Sequence, residues 1–380
     1  MIGGAGSRDG YGKRIERLTK RAARSFLASV SQRKRRGPVP AINTASVKKL
    51  ILIRQHNQFG DVLCTVPLLR SLHTKYKPEE LAVVVSPQNR DALEGCPYIT
   101  RLIEYDKLTF YRKPSLFLKF AKELRRGYDV LIVPSNVSLS LTNDIMAFFV
   151  KAKMKFGPAS LESKSNRTSS VYDFAVDLSW GERPVHQSFR NMKVASPLGV
   201  GKEADNGELE YRVDPNSEKD ARLFISRLSK DGIRKVALHA GAGKTPNRWN
   251  VVNFATLANL LHDQLNVEVF LTEGPMDREV IENLANLIKS PFVRVRNRAI
   301  AFVAALLKQM DLVITNDTGI MHLGAAVGTP TLSLFGPTDP LQWAPLGKRN
   351  RFIMGKDGDI NTIGVDKTFA MARKVLQSGL

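Results

Sequence analysis

Two acids stand where apolar segments run into small-residue helices, a position that core packing alone does not call for. In 57-NQFGDVLCTVP-67, Asp61 follows Gly60 and opens a helix whose apolar face is Val62, Leu63, Val66 and Leu69. Such a carboxylate either caps the helix by accepting from its free N–H groups or acts as a general base, taking a proton from an acceptor hydroxyl. In 311-DLVITNDTGIMHLGAAVGTPTLSLFGPTDPLQW-343, Asp317, Thr318 and Gly319 sit at a helix start, with His322 one turn further on the same face. Amides and the positive dipole end at that point suit an incoming anion. Taken singly, Asp317 could be a cap and His322 a satisfied, partly buried histidine; grouped at one strand end, they suggest a phosphate-bearing ligand.

A third loop, 238-LHAGAGKTPNRWN-250, adds Gly241 and Gly243 for close approach to phosphate, with Lys244 and Arg248 as cations. Its glycine spacing fits neither a Walker loop nor a dinucleotide fingerprint. A solvated surface loop with Trp249 in the core is the plainer alternative. In 272-TEGPMDREVIENL-284, Asp277 and Glu279 open a helix, which is ordinary dipole chemistry and also suits hydrogen bonds from ribose hydroxyls. No Cys/His cluster has metal-ligand spacing. The one DxD-like pair, Asp357 and Asp359, falls outside the predicted sheets, so no metal is expected.

The elements that must hold these loops alternate regularly. Apolar strands are predicted at the start of 49-KLILIRQHNQFG-60, at 81–86, 129–134 and around 173–177, interleaved with helical stretches. From residue 218 the rhythm restarts: helix 218–230, strand 235–240, helix 251–264, strand 267–272, helix 276–289, strand 292–296, helix 299–309, then strands 312–315 and 330–335. Strands apolar throughout imply parallel sheets covered on both faces. The fold class is therefore α/β, with two doubly wound units in tandem, as suits 380 residues. All the unusual loops fall at strand carboxyl ends, where such sheets bind ligands. The expected division is an extension over 1–46, a first domain over 47–205, a second over 206–360, and a closing helical segment over 361–380.

Charge is uneven. Residues 1–50 carry thirteen Lys and Arg against Asp9 and Glu16, a net +11 of the chain's +21. Within them, residues 13–30 place Ile15, Leu18, Ala22, Phe26 and Val30 at helical spacing among cations, which predicts an amphipathic surface helix. The run 33-RKRRGPVP-40 reads as a linker. An anionic membrane surface is the expected partner of residues 13–36, and a solvated leader is the alternative. Nucleic acid is not expected, because the tail has few aromatics and no nucleic-acid motif occurs. No run approaches the ~18 apolar residues of a membrane span and no signal peptide is evident. Cys64 and Cys96 read as small core hydrophobes in a reducing cytoplasm.

The stretches GDVLCTVPLLRSL, HAGAGKTPNRWNVVNFATLANLL and NDTGIMHLGAAVGTPTLSLFGPTDPLQW, in this order, resemble the ADP-heptose:lipopolysaccharide heptosyltransferases of glycosyltransferase family 9 over roughly residues 50–350. The resemblance implies a GT-B fold, two Rossmann-like domains facing across a cleft, and an inverting, metal-independent transferase. Its donor would be ADP-heptose or a related nucleotide sugar, a co-substrate rather than a cofactor. Its acceptor would be an anionic, lipid-linked lipopolysaccharide core precursor or similar cell-surface glycan, met at the inner face of the cytoplasmic membrane. Carried over by position, Asp61 is the catalytic base and Gly60 belongs to the acceptor loop. Gly241, Lys244, Arg248, Asp317, Thr318, Gly319 and His322 serve the donor diphosphate and sugar, and Asp277 or Glu279 the ribose. The closing helix, about 366–378, would cross back to the first domain. One departure stands out: where members usually carry a Lys two residues before the Trp, this chain has Asn247, leaving Arg248 or Lys244 to take over its phosphate contact. Alternatives are a weakened carbohydrate- or nucleotide-binding relative and a nucleotide-sugar 2-epimerase of the same fold.

Overall fold

The architecture was obtained as a computed structural model describing residues 21, 22, 24–27, 29 and 43–378, except 56, 57, 136, 182, 183, 202, 230 and 231. Two sheets account for it. The first runs β3-β2-β1-β4-β5-β6, with β7 also on β5. Its strands are β1 (Lys49–Ile53), β2 (Glu80–Val85), β3 (Arg101–Glu104), β4 (Tyr128–Ile132), β5 (Ala152–Leu161), β6 (Lys164–Ser165) and β7 (Phe174–Leu178). The second runs β10-β9-β8-β11-β12-β13, from β8 (Arg234–His239), β9 (Val267–Glu273), β10 (Phe292–Arg296), β11 (Leu312–Asn316), β12 (Thr331–Phe335) and β13 (Asn350–Met354). Every pairing is parallel except β5 with β6. Strand order reverses beside β1 and β8, which opens a crevice at their carboxyl ends.

The helices that bear on the site are α1 (Phe59–Leu63), α2 (Val66–Tyr76), α3 (Lys107–Arg112), α4 (Pro114–Leu124), α5 (Leu141–Phe149), α6 (Gln187–Lys193), α7 (Pro215–Leu228), α8 (Val251–Leu265), α9 (Arg278–Leu287), α10 (Ile300–Leu307), α11 (Gly319–Ala326), α12 (Pro340–Trp343) and α13 (Val365–Gln377). Central strands bury both faces: all six residues of β2 are inaccessible, as are all five of β11 and β12. On one face of the first sheet, Leu50, Leu52, Val83 and Val130 meet α1 and α2; on the other, Ile51, Ile53, Ala82 and Leu131 meet α4 and α5. The chain passes between domains over residues 199–214, tied down where Arg70 grips Asp205 at 2.6 Å and the Tyr211 N–H donates to Ala326 at 2.8 Å.

Two expectations change. The closing helix α13 does not cross back to the first domain: Phe369, Ala372, Val375 and Leu376 bury against α8 and β11 of the second. Its apolar stripe completes that domain's own core beside Trp249, whose indole N–H donates to Ile363 at 2.9 Å. The extension also behaves differently from a freely presented stripe. Its described residues between 21 and 29 are helical, and Leu27, outside the predicted stripe, is buried beside Phe120 and Leu124, while Ala22 and Phe26 are exposed. Ile15, Leu18, Val30 and the 33–40 linker lie outside the described residues.

Candidate active site

Asp61 is not a helix cap. The cap position of α1 is Gln58, and Asp61 is the third residue of its first turn, buried and not at the cap. Its carboxylate is 3.9 Å from the guanidinium of Arg54, which is itself wholly inaccessible at the end of β1. Arg54 also donates to the Asp61 carbonyl and the Thr65 hydroxyl, each at 3.1 Å, so it fixes the turn carrying the acid. Burial raises the Asp61 pKa above the ordinary carboxylate range, and Arg54 opposes that rise. The result is a carboxylate more basic than usual yet still paired. Arg54 went unrecognised in the sequence; its signal was a lone cation closing an otherwise apolar strand.

Gly60, assigned by resemblance to the acceptor loop, is fixed by packing. It lies inside α1 without positive φ, so its conformation does not demand glycine. The demand comes from across the domain contact: a Cβ at Gly60 would lie 2.4 Å from Cδ2 of His322. Helices α1 and α11 therefore meet at van der Waals distance, with Gly319 against Phe59 on the other side of the contact. His322 is buried there, its Nδ1 3.8 Å from the Cys64 sulfur and its ring edge-on to Trp343. Burial, with a lesser push from His186, takes its pKa down to about 3, so the ring is neutral. His322 thus sits in the seam between domains, not on an open anion site as expected. His186 supports the same seam, donating from Nε2 to the Ala344 carbonyl at 3.0 Å while Nδ1 accepts from the Ser188 N–H.

On the second sheet, β8 and β11 are neighbours, and the loops after them interlock. Asn316 is the staple: its amide donates to the Ala240 and Gly241 carbonyls, and its oxygen accepts from the Trp249 N–H at 3.1 Å. Thr318, not Asp317, caps α11, accepting from the Ile320 N–H at 3.2 Å. Asp317 is released to face Asn247, whose amide donates to it at 3.2 Å and to the Thr338 hydroxyl at 3.3 Å. Burial raises the Asp317 pKa; Thr338 and exposed Lys244 hold it down, and repulsion from Asp61 adds to the rise. Asp61 on α1 and Asp317 just before α11, 256 positions apart in sequence, are brought to the same domain contact by the packing of α1 on α11.

The remaining candidates divide. Gly241 is close-packed, since a Cβ there would lie 2.2 Å from an Asp277 carboxylate oxygen. Asp277 also accepts from the Gly274 N–H at 3.0 Å and lies 3.8 Å from His239, which burial keeps neutral. The space expected for phosphate at Gly241 is thus partly taken by this carboxylate. Glu279 is exposed on the first turn of α9 and has no described contact with the cluster. Arg248 turns back to its own loop, donating to the Ala242 carbonyl at 2.9 Å. Lys244 is the cation this loop presents to solvent. Among the described residues, no group of three or more His, Cys, Asp or Glu side chains is arranged to hold a metal ion, and no helix is long and apolar enough to cross a membrane.

Comparison with known proteins adds a family to this geometry. Residues 117–368, from α4 to α13, match the family described as glycosyltransferase family 9 (heptosyltransferase). The lipopolysaccharide core heptosyltransferase OpsX of Haemophilus influenzae is 25% identical over 312 residues, covering 80% of this chain and 83% of that protein. Among solved structures, a family 9 glycosyltransferase of Veillonella parvula superposes with a TM-score of 0.78 at 20% identity, covering 88% of this chain and 99% of that one. The Escherichia coli heptosyltransferase WaaC, solved with ADP, gives 0.67 at 18% identity, covering 87% and 100%. The fold is GT-B, and a transferase takes the place of the epimerase and binding-protein readings. With more than half its length matched continuously through both sheets, this chain belongs to glycosyltransferase family 9, the heptosyltransferases.

Proposed function

We propose that this enzyme transfers heptose from ADP-heptose, with inversion and without a metal, to a hydroxyl of a lipopolysaccharide core or similar cell-surface glycan precursor. The observation that carries the reading is that the α1–α11 contact brings buried Asp61, after the first sheet's β1, and Asp317, after the second sheet's β11, to one seam. Asp61 takes the acceptor hydroxyl proton, a role its burial favours because a more basic carboxylate accepts that proton more readily. The freed oxygen attacks the anomeric carbon from the face opposite the diphosphate, and the carbon–oxygen bond to the nucleotide breaks. Negative charge then grows on the departing ADP. Lys244 and the amides at the start of α11 are the groups available to stabilise it.

Asn247 has a different task from the Lys usual at its position. It orients Asp317 through a neutral hydrogen bond, leaving Lys244 as the phosphate cation. Asp277, held beside Gly241, is the better-placed ribose acceptor, and exposed Glu279 the poorer. The ADP assignment is supported by WaaC, which binds ADP in its solved structure, and the acceptor assignment by OpsX, a lipopolysaccharide core heptosyltransferase. The acceptor would be met at the inner face of the cytoplasmic membrane, with residues 13–36 as one lipid-seeking segment.

The test is transfer itself. Purified enzyme, in a chelator, would be given ADP-heptose, UDP-glucose or GDP-mannose with heptose-deficient lipopolysaccharide, and the acceptor examined by mass spectrometry. A heptose added from ADP-heptose alone, with inverted anomeric configuration by NMR, is the expected result. Transfer from UDP- or GDP-sugars, or transfer that requires added metal, would refute the corresponding part of the reading.

A further inference from the structure

The outer edge of the first domain carries a surface that the transfer reaction does not use. Between edge strand β3 and β4 the chain folds into the hairpin of α3 and α4, 107-KLTFYRKPSLFLKFAKEL-124. On it Leu108 is 74% exposed, Phe117 49% and Leu118 68%. Large apolar side chains exposed together on one rigid element are unusual for a free surface. The hairpin is held firmly: Phe110 packs on Phe117 at 5.8 Å and on Phe120 at 5.1 Å, with Tyr105 on both Phe110 and Phe120. Asp106 caps α3, and Pro114 opens α4. Exposed cations surround the apolar tip, namely Lys107, Arg112, Lys113, Lys119, Lys122 and Arg125.

Apolar residues ringed by cations match the chemistry of an anionic bilayer surface, acyl boundary for the first and phosphate headgroups for the second. The position matches as well. Strands β1, β2 and β3 are parallel, so α3 starts from the same sheet edge as the Asp61 loop. Helix α4 then returns toward the start of β4, which leaves Phe117 and Leu118 in its first turn at the cleft edge. The described helical residues between 21 and 29 pack on the same face of the sheet through Leu27.

We propose that the α3–α4 hairpin docks the enzyme on an anionic phospholipid surface, with Leu108, Phe117 and Leu118 entering the headgroup boundary. This rests on the lipid-linked acceptor of the proposed function, since it would bring the cleft to the membrane where that acceptor lies. It differs from docking by residues 13–36, because the contact is built into the fold.

Two full-length variants test it by co-sedimentation with vesicles of phosphatidylglycerol and phosphatidylethanolamine. Leu108→Ser/Leu118→Ser keeps Phe117 and the aromatic brace; Lys113→Gln/Lys119→Gln/Lys122→Gln removes charge alone. The wild type should bind these vesicles, fail to bind phosphatidylcholine, and release as salt is raised. Each variant should lose about tenfold or more in vesicle affinity while turning over a lipid-free oligosaccharide acceptor at the wild-type rate. Vesicle binding unchanged in both variants, as it would be if the extension alone docked, overturns the proposal. So does a wild type that ignores lipid and sediments as a dimer that Leu108→Ser/Leu118→Ser dissolves, because the face would then join two copies. A wild type that does not turn over the lipid-free acceptor would count against the transfer reading, whereas vesicle binding reads the hairpin alone.

Discussion

The two sheets share a strand order around their reversal points, yet their carboxyl edges are built from opposite materials. Beside β1, a charged pair, Arg54 and Asp61, is buried almost completely. Beside β8 and β11, neutral donors do the holding: Asn316 staples the loops and Asn247 orients Asp317, with Lys244 left at the surface. Burial of a carboxylate raises its basicity, as proton abstraction requires. An anion-binding edge gains more from fixed amides and an accessible cation, because a buried cation would have to be desolvated in every empty enzyme. The difference in material thus suits the difference in proposed task, and substitutions on the two edges should fail in different ways.

The largest expected effect is on the first edge. Asp61→Asn should lower kcat by about a thousandfold, within the range of general-base catalysis, with the KM for donor little changed. A loss confined to KM in steady-state assays would move Asp61 from chemistry to binding. On the second edge, Lys244→Ala should weaken ADP binding by about tenfold, the loss of one charge-assisted contact; an equal loss in Arg248→Ala would show that the loop rearranges on binding.

The seam between the edges should respond to volume. Gly60→Ala drives a methyl into the His322 ring and should cost about 1–3 kcal/mol, read as a lower melting midpoint. Gly60→Ala with His322→Ala should recover part of that cost, since the two positions share one contact. Additive losses would separate them.

Smaller effects concern pH. The acid limb of kcat/KM reports protonation of the base. Arg54 is the group holding the Asp61 pKa down, so Arg54→Met should move that limb to higher pH. No movement would mean that another group sets the limb. His322, with its pKa depressed to about 3, contributes stability that is present above its usual value near 6.5 and lost as pH falls toward 3. His322→Gln should flatten part of the fall in melting temperature over that window, and His186, depressed to about 4, accounts for a further part.

Most of the second domain was legible because its strands are uniformly apolar and its helices carry clear caps: strand 312–315 is β11 and helix 251–264 is α8 within a residue or two. The first domain hid more. Strand β5 gave no strand signal, because Lys153 and Lys155 interrupt it and Gly157-Pro158 follow. In the fold Lys155 is buried, its ammonium donating to the Ala147 and Phe148 carbonyls at the end of α5, and Gly157 makes room for the Tyr172 ring. Edge strands β3 and β13 are short and half polar, so periodicity gave no sign of them. At the candidate site, residue types and strand-end positions pointed to loops that the fold brings together. What spacing could not reveal was partnership across the chain: Arg54 with Asp61, Asn247 with Asp317, Asp277 with Gly241, and His322 with Gly60. The first three pairs form as loops fold back within one domain, and the last only when the two domains meet.

The division of labour is tested most directly by calorimetric titration of ADP into the wild type, Asp61→Asn and Asp317→Ala, without metal. ADP should bind Asp61→Asn within about twofold of the wild type although that variant does not turn over, and should bind Asp317→Ala far more weakly. Equal losses in both variants would contradict the account, because the two edges would then be one binding site rather than a base facing a donor.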